Sequence, residues 1–302
     1  MPAAFVVGVN RSGTTLLRMM LDAHPELTMP PETHFVPELI DVAEAGHATP
    51  EDLLATITKQ REWGDFGLTE EQLLQAFREI EPLNAGDALR AFYGLYAERI
   101  GKPRWGEKTP IYVKSIRKIS RALPEARFVH VIRDGRDVAL SIRDRAVKEH
   151  PIDVIAERWV RRISQARRQS KHVEHYVEIR YEQLILETEP TLRQVCETFD
   201  LPWEAEMLDY HQHSAERLEE MKRELPADGK RTTLSVERRM ATHARTTQAP
   251  DPSRVSRWRE QMGSEDRGLF ESIAGELLEE LGYATGDGPE TTPREFEKAD
   301  PS

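Results

Sequence analysis

The segment that most constrains this chain is Gly8-Val9-Asn10-Arg11-Ser12-Gly13-Thr14-Thr15, because of what stands on either side of it. Before it, Ala3–Val7 is a short apolar run closed by Gly8, the pattern of a buried parallel strand. After it, Leu16, Leu17, Met20 and Leu21 fall on one helical face between Thr14 and Ala23, and Pro25 closes that helix. A strand that feeds such a loop and then a helix turns successive backbone N–H groups and a helix N-terminus toward one point, a cradle for a phosphate-like anion. The spacing from Gly8 to Gly13 equals that of a Walker A loop, yet Thr14 stands where that loop requires Lys. A triphosphate-using enzyme sets that Lys against the β and γ phosphates with Mg²⁺ beside it. Here the positive charge, Arg11, lies inside the loop. That suits a terminal anion of lower charge, such as a sulfuryl group bridged to a 5′-phosphate, and requires no metal. A strand–helix turn capped by Ser12 or Thr14 is the structural alternative.

The rest of the chain alternates in the same way. Helical spacing recurs over 51–60, 69–80 and 86–100, with Leu73, Leu74, Phe77 and Ile80 as the clearest stripe, and again over Ile111–Leu123, Asp137–Val147 and Thr191–Phe199. Leu27–Met29, Ala126–Ile132 and Tyr176–Ile179 read as further strands. The pattern predicts an α/β fold, a parallel sheet flanked by helices, as a single domain over residues 1–283. Residues 214–252 are charged and poor in large apolar side chains, so they form either a flexible flap over the site or a solvated excursion. Residues 284–302, with Gly286, Gly288, Pro289 and Pro293, read as a disordered tail.

Charge decides what kind of anion site this is. The formal net charge is −11, which argues against nucleic acid and long polyanionic sugars as partners and confines any bound anion to a local pocket of Arg, Lys and N–H groups. Cys196 is the only cysteine, so no intrachain disulfide and no cysteine cluster can form, and it reads as a small core residue. No apolar run approaches the roughly 20 residues of a membrane helix, and the first residues lack a basic leader, so no membrane partner and a cytoplasmic location are expected.

A second cradle follows the strand Ala126–Ile132. It delivers Arg133 at its C-terminal end, where open α/β sheets bind ligands, and Ser141 follows one helical turn after Asp137. The local alternative is an ion pair of Arg133 with Asp134 or Asp137. His130, inside the strand, reads as a core histidine; Arg136 suits an outward salt bridge as well as a ligand contact.

With both cradles in this order, the chain resembles the PAPS-dependent sulfotransferases, which use 3′-phosphoadenosine-5′-phosphosulfate (PAPS) and release 3′-phosphoadenosine-5′-phosphate (PAP). Arg11-Ser12-Gly13-Thr14-Thr15, followed by Leu16, Leu17 and Asp22-Ala23-His24-Pro25, is most similar to the tyrosylprotein and related bacterial branch. The resemblance covers roughly the first 200 residues well; eukaryotic members of that branch carry a membrane anchor that this sequence does not match. It implies a P-loop-like fold, with Arg11, Ser12, Gly13, Thr14 and Thr15 around the 5′-phosphosulfate, Arg133 and Ser141 on the 3′-phosphate, and Tyr181 near the nucleotide. It also implies Glu32, in Pro31-Glu32-Thr33-His34-Phe35, as the base, and Lys108, in Arg104-Trp105-Gly106-Glu107-Lys108-Thr109-Pro110, against the transferring group. Taken by themselves, Glu32-Thr33 and Thr109-Pro110 are equally helix starts, His34 is a rival base, and Tyr181 is a common kind of core aromatic. Pro252–Trp258 vaguely resembles the family's late loop over the nucleotide, without its basic Gly-Lys run. The implied reaction is in-line transfer to a small-molecule or peptide acceptor, foremost a hydroxyl, without metal; the oligomeric state stays open. A P-loop kinase-like phosphotransferase and a catalytically silent nucleotide-binding protein stand beside it as alternatives.

Overall fold

The computed structural model describes residues 1–144, 150–228, 231–286 and 288. Its centre is a parallel sheet of β1 (Ala3–Gly8), β2 (Leu27–Thr28), β3 (Arg104–Lys108), β4 (Ala126–Ile132) and β5 (Tyr176–Arg180), in the order β2-β3-β1-β4-β5. All six residues of β1 are buried, as a strand covered on both faces requires. Its register pairs Val6 with Lys108 on one side and Gly8 with Val131 on the other. The C-terminal ends of β1, β3 and β4 therefore share one edge. Because the chain leaves β1 outward to β2 and later crosses to β4, β1 also lies where the strand order reverses, the usual ligand crevice of open α/β sheets.

Alternation along the strands divides the core. Phe5, Val7 and Phe128 face the layer of α2 (Val36–Glu44), α3 (Pro50–Thr58), α4 (Glu70–Arg78) and α5 (Ala85–Ile100), whose Leu39, Leu53, Phe77 and Phe92 are fully buried. Ala4, Val6, Val129 and Val131 face the opposite layer, which includes α1 (Thr14–Asp22), α9 (Tyr181–Leu186) and α10 (Thr188–Phe199). A third apolar cluster joins α7 (Gly135–Arg143), α8 (Ile152–Ser170), α13 (Trp258–Gln261) and α14 (Ser264–Glu280) through Val138, Trp159, Trp258 and Phe270. Cys196 is buried in the second cluster.

The helix expected over Ile111–Leu123 is two pieces, a 3₁₀ turn at Pro110–Lys114 and α6 (Ile116–Ala122), broken at Ser115. Tertiary bonding explains the break. The Tyr112 hydroxyl is engaged with Thr33 Oγ1 at 2.8 Å and accepts the Val36 N–H at 3.0 Å, which anchors the tight turn inward. The segment 214–252 contains α11 (Ser214–Leu218), an isolated antiparallel bridge between Leu225 and Leu234, and α12 (Val236–His243). Arg217 pairs with Asp22 at 2.5 Å, Arg223 with Asp65 at 2.7 Å and Arg231 with Glu62 at 3.2 Å, and Arg239 also pairs with Asp65. The helix expected to run to Val147 and the tail expected over 284–302 fall outside the described residues beyond Asp144 and, apart from 284–286 and 288, from 284 onward.

Candidate active site

The loop after β1 is shaped by close approach. A Cβ at Gly8 would stand 2.8 Å from the Val131 carbonyl oxygen, and one at Gly13 only 2.3 Å from Tyr181 Cδ2; Gly13 is also left-handed, φ 94°. Arg11 adopts φ 75°, a conformation that costs a side-chain-bearing residue about 1–2 kcal/mol. The Ser12 N–H bonds the Val9 carbonyl at 3.1 Å, and the first N–H groups of α1 receive no side-chain cap among the described residues.

The second cradle docks on the first. Arg11 Nε donates to Ser141 Oγ at 3.2 Å, and Arg133 Nη1 donates to the Arg11 carbonyl at 3.2 Å. Arg133 Nη2 donates to the Arg254 carbonyl at 2.7 Å, and its guanidinium lies 4.3 Å from the Tyr181 ring centroid. Asp137 is 3.6 Å away, so the local ion pair exists, but it leaves Arg133 facing the cleft. Arg11, Gly13, Thr14, Thr15, Arg133, Ser141 and Tyr181 line this first cleft together with Tyr210, Arg245, Thr246 and Arg254. Ser12 does not line it; its hydroxyl is buried, and neither Ser12 Oγ nor Arg133 Nε has a hydrogen-bond partner among the described residues. The uncapped helix start and the unfilled Arg133 N–H are donors suited to phosphate or sulfate oxygens, whereas the Ser12 hydroxyl is not on the cleft surface.

A second cleft opens on the other side of Thr14 and Thr15, lined by Arg18, Glu32, His34, Lys108, Arg61, Glu62, Asp65, Arg231, Arg239, Thr242 and His243. Lys108, only 1% exposed at the end of β3, donates to Thr15 Oγ1 at 3.3 Å and to Glu32 Oε1 at 2.5 Å. Glu32 also lies 3.3 Å from His34 Nε2, and His34 is left-handed at φ 59°. Burial opposes ionisation of Glu32, but Lys108 and His34 outweigh it and hold the carboxyl far below the usual range. Burial works against a charge on Lys108 and lowers its pKa even with Glu32 beside it, whereas Glu32 raises that of His34.

Behind this pair is a buried polar knot. Thr33 is not a helix cap: its Oγ1 donates to Glu107 Oε2 at 3.1 Å, and its N–H bonds Thr109 Oγ1 at 3.0 Å. Tyr93 and Thr109 also donate to Glu107, at 2.6 and 2.5 Å, and burial pushes the Glu107 carboxyl up to about 7. One carboxyl thus ties the neighbour of Glu32 to both neighbours of Lys108.

His130 is a core histidine, its Nδ1 2.6 Å from the Tyr176 hydroxyl. Arg136 is neither of the things its sequence suggested. It turns inward, pairs with Asp134 and Glu271 and lies 3.5 Å from the Trp258 ring centroid. Arg18, Asp65, Arg239 and His243 were not legible as site residues. They sit outside any spaced motif, and only the tertiary fold brings them to the cleft.

A sequence profile described as the sulfotransferase family matches residues 2–205. Protein-tyrosine sulfotransferase A of Caenorhabditis elegans is 30% identical over 222 residues, covering 70% of this chain and 53% of that protein. Protein-tyrosine sulfotransferase 1 of Danio rerio is 28% identical over 220 residues, covering 70% and 57%. The chain thus spans about half the length of these curated relatives. Among solved structures, the sulfotransferase domain from the curacin biosynthetic pathway superposes with a TM-score of 0.59 at 20% identity, over 95% of this chain and 99% of that one. The sulfotransferase domain of the Synechococcus PCC 7002 olefin synthase gives 0.55 at 22% identity, over 91% and 94%. These likenesses identify the fold as the P-loop-like one.

Proposed function

The chain belongs to the sulfotransferase family, and from that premise we propose that it transfers a sulfuryl group from PAPS to an acceptor hydroxyl. The observation that carries this reading is Lys108, whose ammonium joins Thr15 of the anion loop to the Glu32 carboxylate across the boundary between the two clefts. In this reading Arg11, Gly13, Thr14 and Thr15 hold the 5′ end of the donor while Ser12, its N–H bonded to the Val9 carbonyl, shapes the loop; Arg133 and Ser141 bind the 3′-phosphate, and Tyr181 lies along the nucleotide. The donor supplies an activated sulfuryl group whose departure leaves a phosphate oxygen.

Glu32 is the proton acceptor for the attacking hydroxyl. Its pairing with Lys108 keeps it ionised but makes it a weak base. Lys108 has two partners to serve. When its ammonium turns to charge developing on the transferring group, Glu32 loses a counter-ion and its basicity rises as the proton arrives. Arg11 and Lys108 do the charge work that Mg²⁺ does in phosphotransferases, so a metal is not required, and Thr14 in place of the loop Lys disfavours the kinase reading. The two relatives are named as protein-tyrosine sulfotransferases, so a tyrosine hydroxyl in a peptide is the first acceptor to try, with phenols and small alcohols beside it.

The test is transfer from labelled PAPS to such a panel, with and without EDTA. Transfer that survives EDTA, and falls about 10²–10⁴-fold in Glu32→Gln while PAP affinity is kept, is the expected outcome. Tight PAP binding with no transfer to any acceptor would favour a silent binder. Transfer of phosphate from Mg²⁺–ATP would favour the kinase.

A further inference from the structure

The two clefts share five lining residues: Arg11, Thr14 and Thr15 from the anion loop, and Thr242 and His243 from the last residues of α12. The first three belong to the cradle already described. The other two arrive from more than two hundred residues later, in a segment that carried no chemical motif. Both sets therefore border the place where the two clefts meet.

His243 is equipped to act there. Its Nδ1 is buried and has no hydrogen-bond partner among the described residues, an arrangement that a folded protein normally avoids unless a partner arrives. The charged groups that bear on the ring are Lys108, Arg18 and Arg239 on one side of the balance and Glu32 on the other. Burial and the three cations outweigh the carboxylate and bring its pKa down to about 3. Such a ring is a poor base, yet as a neutral imidazole it still offers one N–H and one lone pair at fixed positions.

We propose that His243 is a further catalytic residue, whose imidazole N–H donates a hydrogen bond to a sulfuryl oxygen as the group moves from the loop to the acceptor. The proposal rests on the donor reading above. In the step, the acceptor oxygen forms a bond to sulfur as the bond from sulfur to the 5′-phosphate oxygen breaks. The acceptor proton goes to Glu32, the electron pair stays on the departing PAP, and His243 keeps its own proton. Its task is to stabilise charge during transit.

The experiment compares the full chain with His243→Ala, His243→Asn and His243→Phe, measuring labelled-PAPS turnover, calorimetric PAP affinity and thermal unfolding. Asn restores a side-chain N–H; Phe keeps the ring without one. Ala and Phe should each lower kcat about 10²-fold, the scale of one preorganised donor, with PAP affinity within about twofold, and Asn should recover about tenfold of that loss. A purely structural role would move unfolding and PAP affinity and would favour Phe over Asn, which overturns the proposal. Full kcat in Ala overturns it too. If the unmutated chain transfers nothing from PAPS, the donor reading has failed and this inference falls with it; intact transfer with indifferent variants removes His243 alone.

Discussion

Glu32 and His34 face each other across 3.3 Å, and their opposite pKa shifts make the choice of base measurable. Glu32 is ionised throughout the neutral range, so with Glu32 as base kcat/KM has no acid limb from it above about pH 5. His34 is raised above 6.5, so with His34 as base kcat/KM would climb through a pKa above that value, and the pH profile of kcat/KM decides between them. Glu107 offers a second test. Its carboxyl is raised from 4.5 to about 7, so the folded state holds a proton there that the unfolded chain releases above 4.5. The stability so contributed is full below about 4.5 and is lost as pH rises through about 7. His243, lowered to about 3, changes stability the opposite way over about 3–6.5, so the comparison must be between variant and parent. The unfolding midpoint of Glu107→Gln minus that of the parent should climb between pH 5 and 8; a flat difference would mean that Glu107 is already ionised at pH 5. At this scale Arg11, Arg133 and Ser141 were legible as candidates from strand–loop–helix spacing, whereas Glu32, Lys108 and Tyr181 were singled out only by the family resemblance; all six line the two clefts. His243 and Arg18 were not, because a single polar residue on a helix has no spacing to betray it.

At the scale of elements, β1, β4 and β5 and helices α1, α3, α4, α5 and α10 followed from periodicity, since each has a clean apolar run or stripe. β3 did not. Its sequence Arg-Trp-Gly-Glu-Lys looks solvated, and its burial depends on partners for Glu107 and Lys108 that no local window contains. α8 was legible and passed over: Ile155, Trp159, Ile163 and Ala166 are buried at helical spacing. The segment 214–252 is too polar to form a core of its own, and what positions α12 is Asp65, 1% exposed, between Arg223 and the buried Arg239. Removing one partner of a buried ion pair leaves an uncompensated charge and costs about 3–5 kcal/mol. Asp65→Asn should therefore speed amide exchange across Val236–His243 by at least about tenfold, while Ala85–Ile100 is unchanged. Unchanged exchange in α12 would mean that apolar packing, not Asp65, holds it.

Across the whole molecule, a chain of net charge −11 gathers Arg11, Arg133, Arg245 and Arg254 around one cleft, so its positive potential is concentrated there. The sheet makes this possible: its register brings the ends of β1, β3 and β4 to one edge, and each end delivers part of the site. The central claim is that the donor carries a 3′-phosphate, held by Arg133 and Ser141. Calorimetric titration with PAP and with adenosine 5′-phosphate, at one fixed ionic strength, tests it most directly because the two differ only in that group. A charge-assisted contact is worth about 1.5–3 kcal/mol, so PAP should bind at least about tenfold more tightly, and Arg133→Ala should erase most of the difference. Equal affinity for the two nucleotides in the unmutated chain would contradict the account.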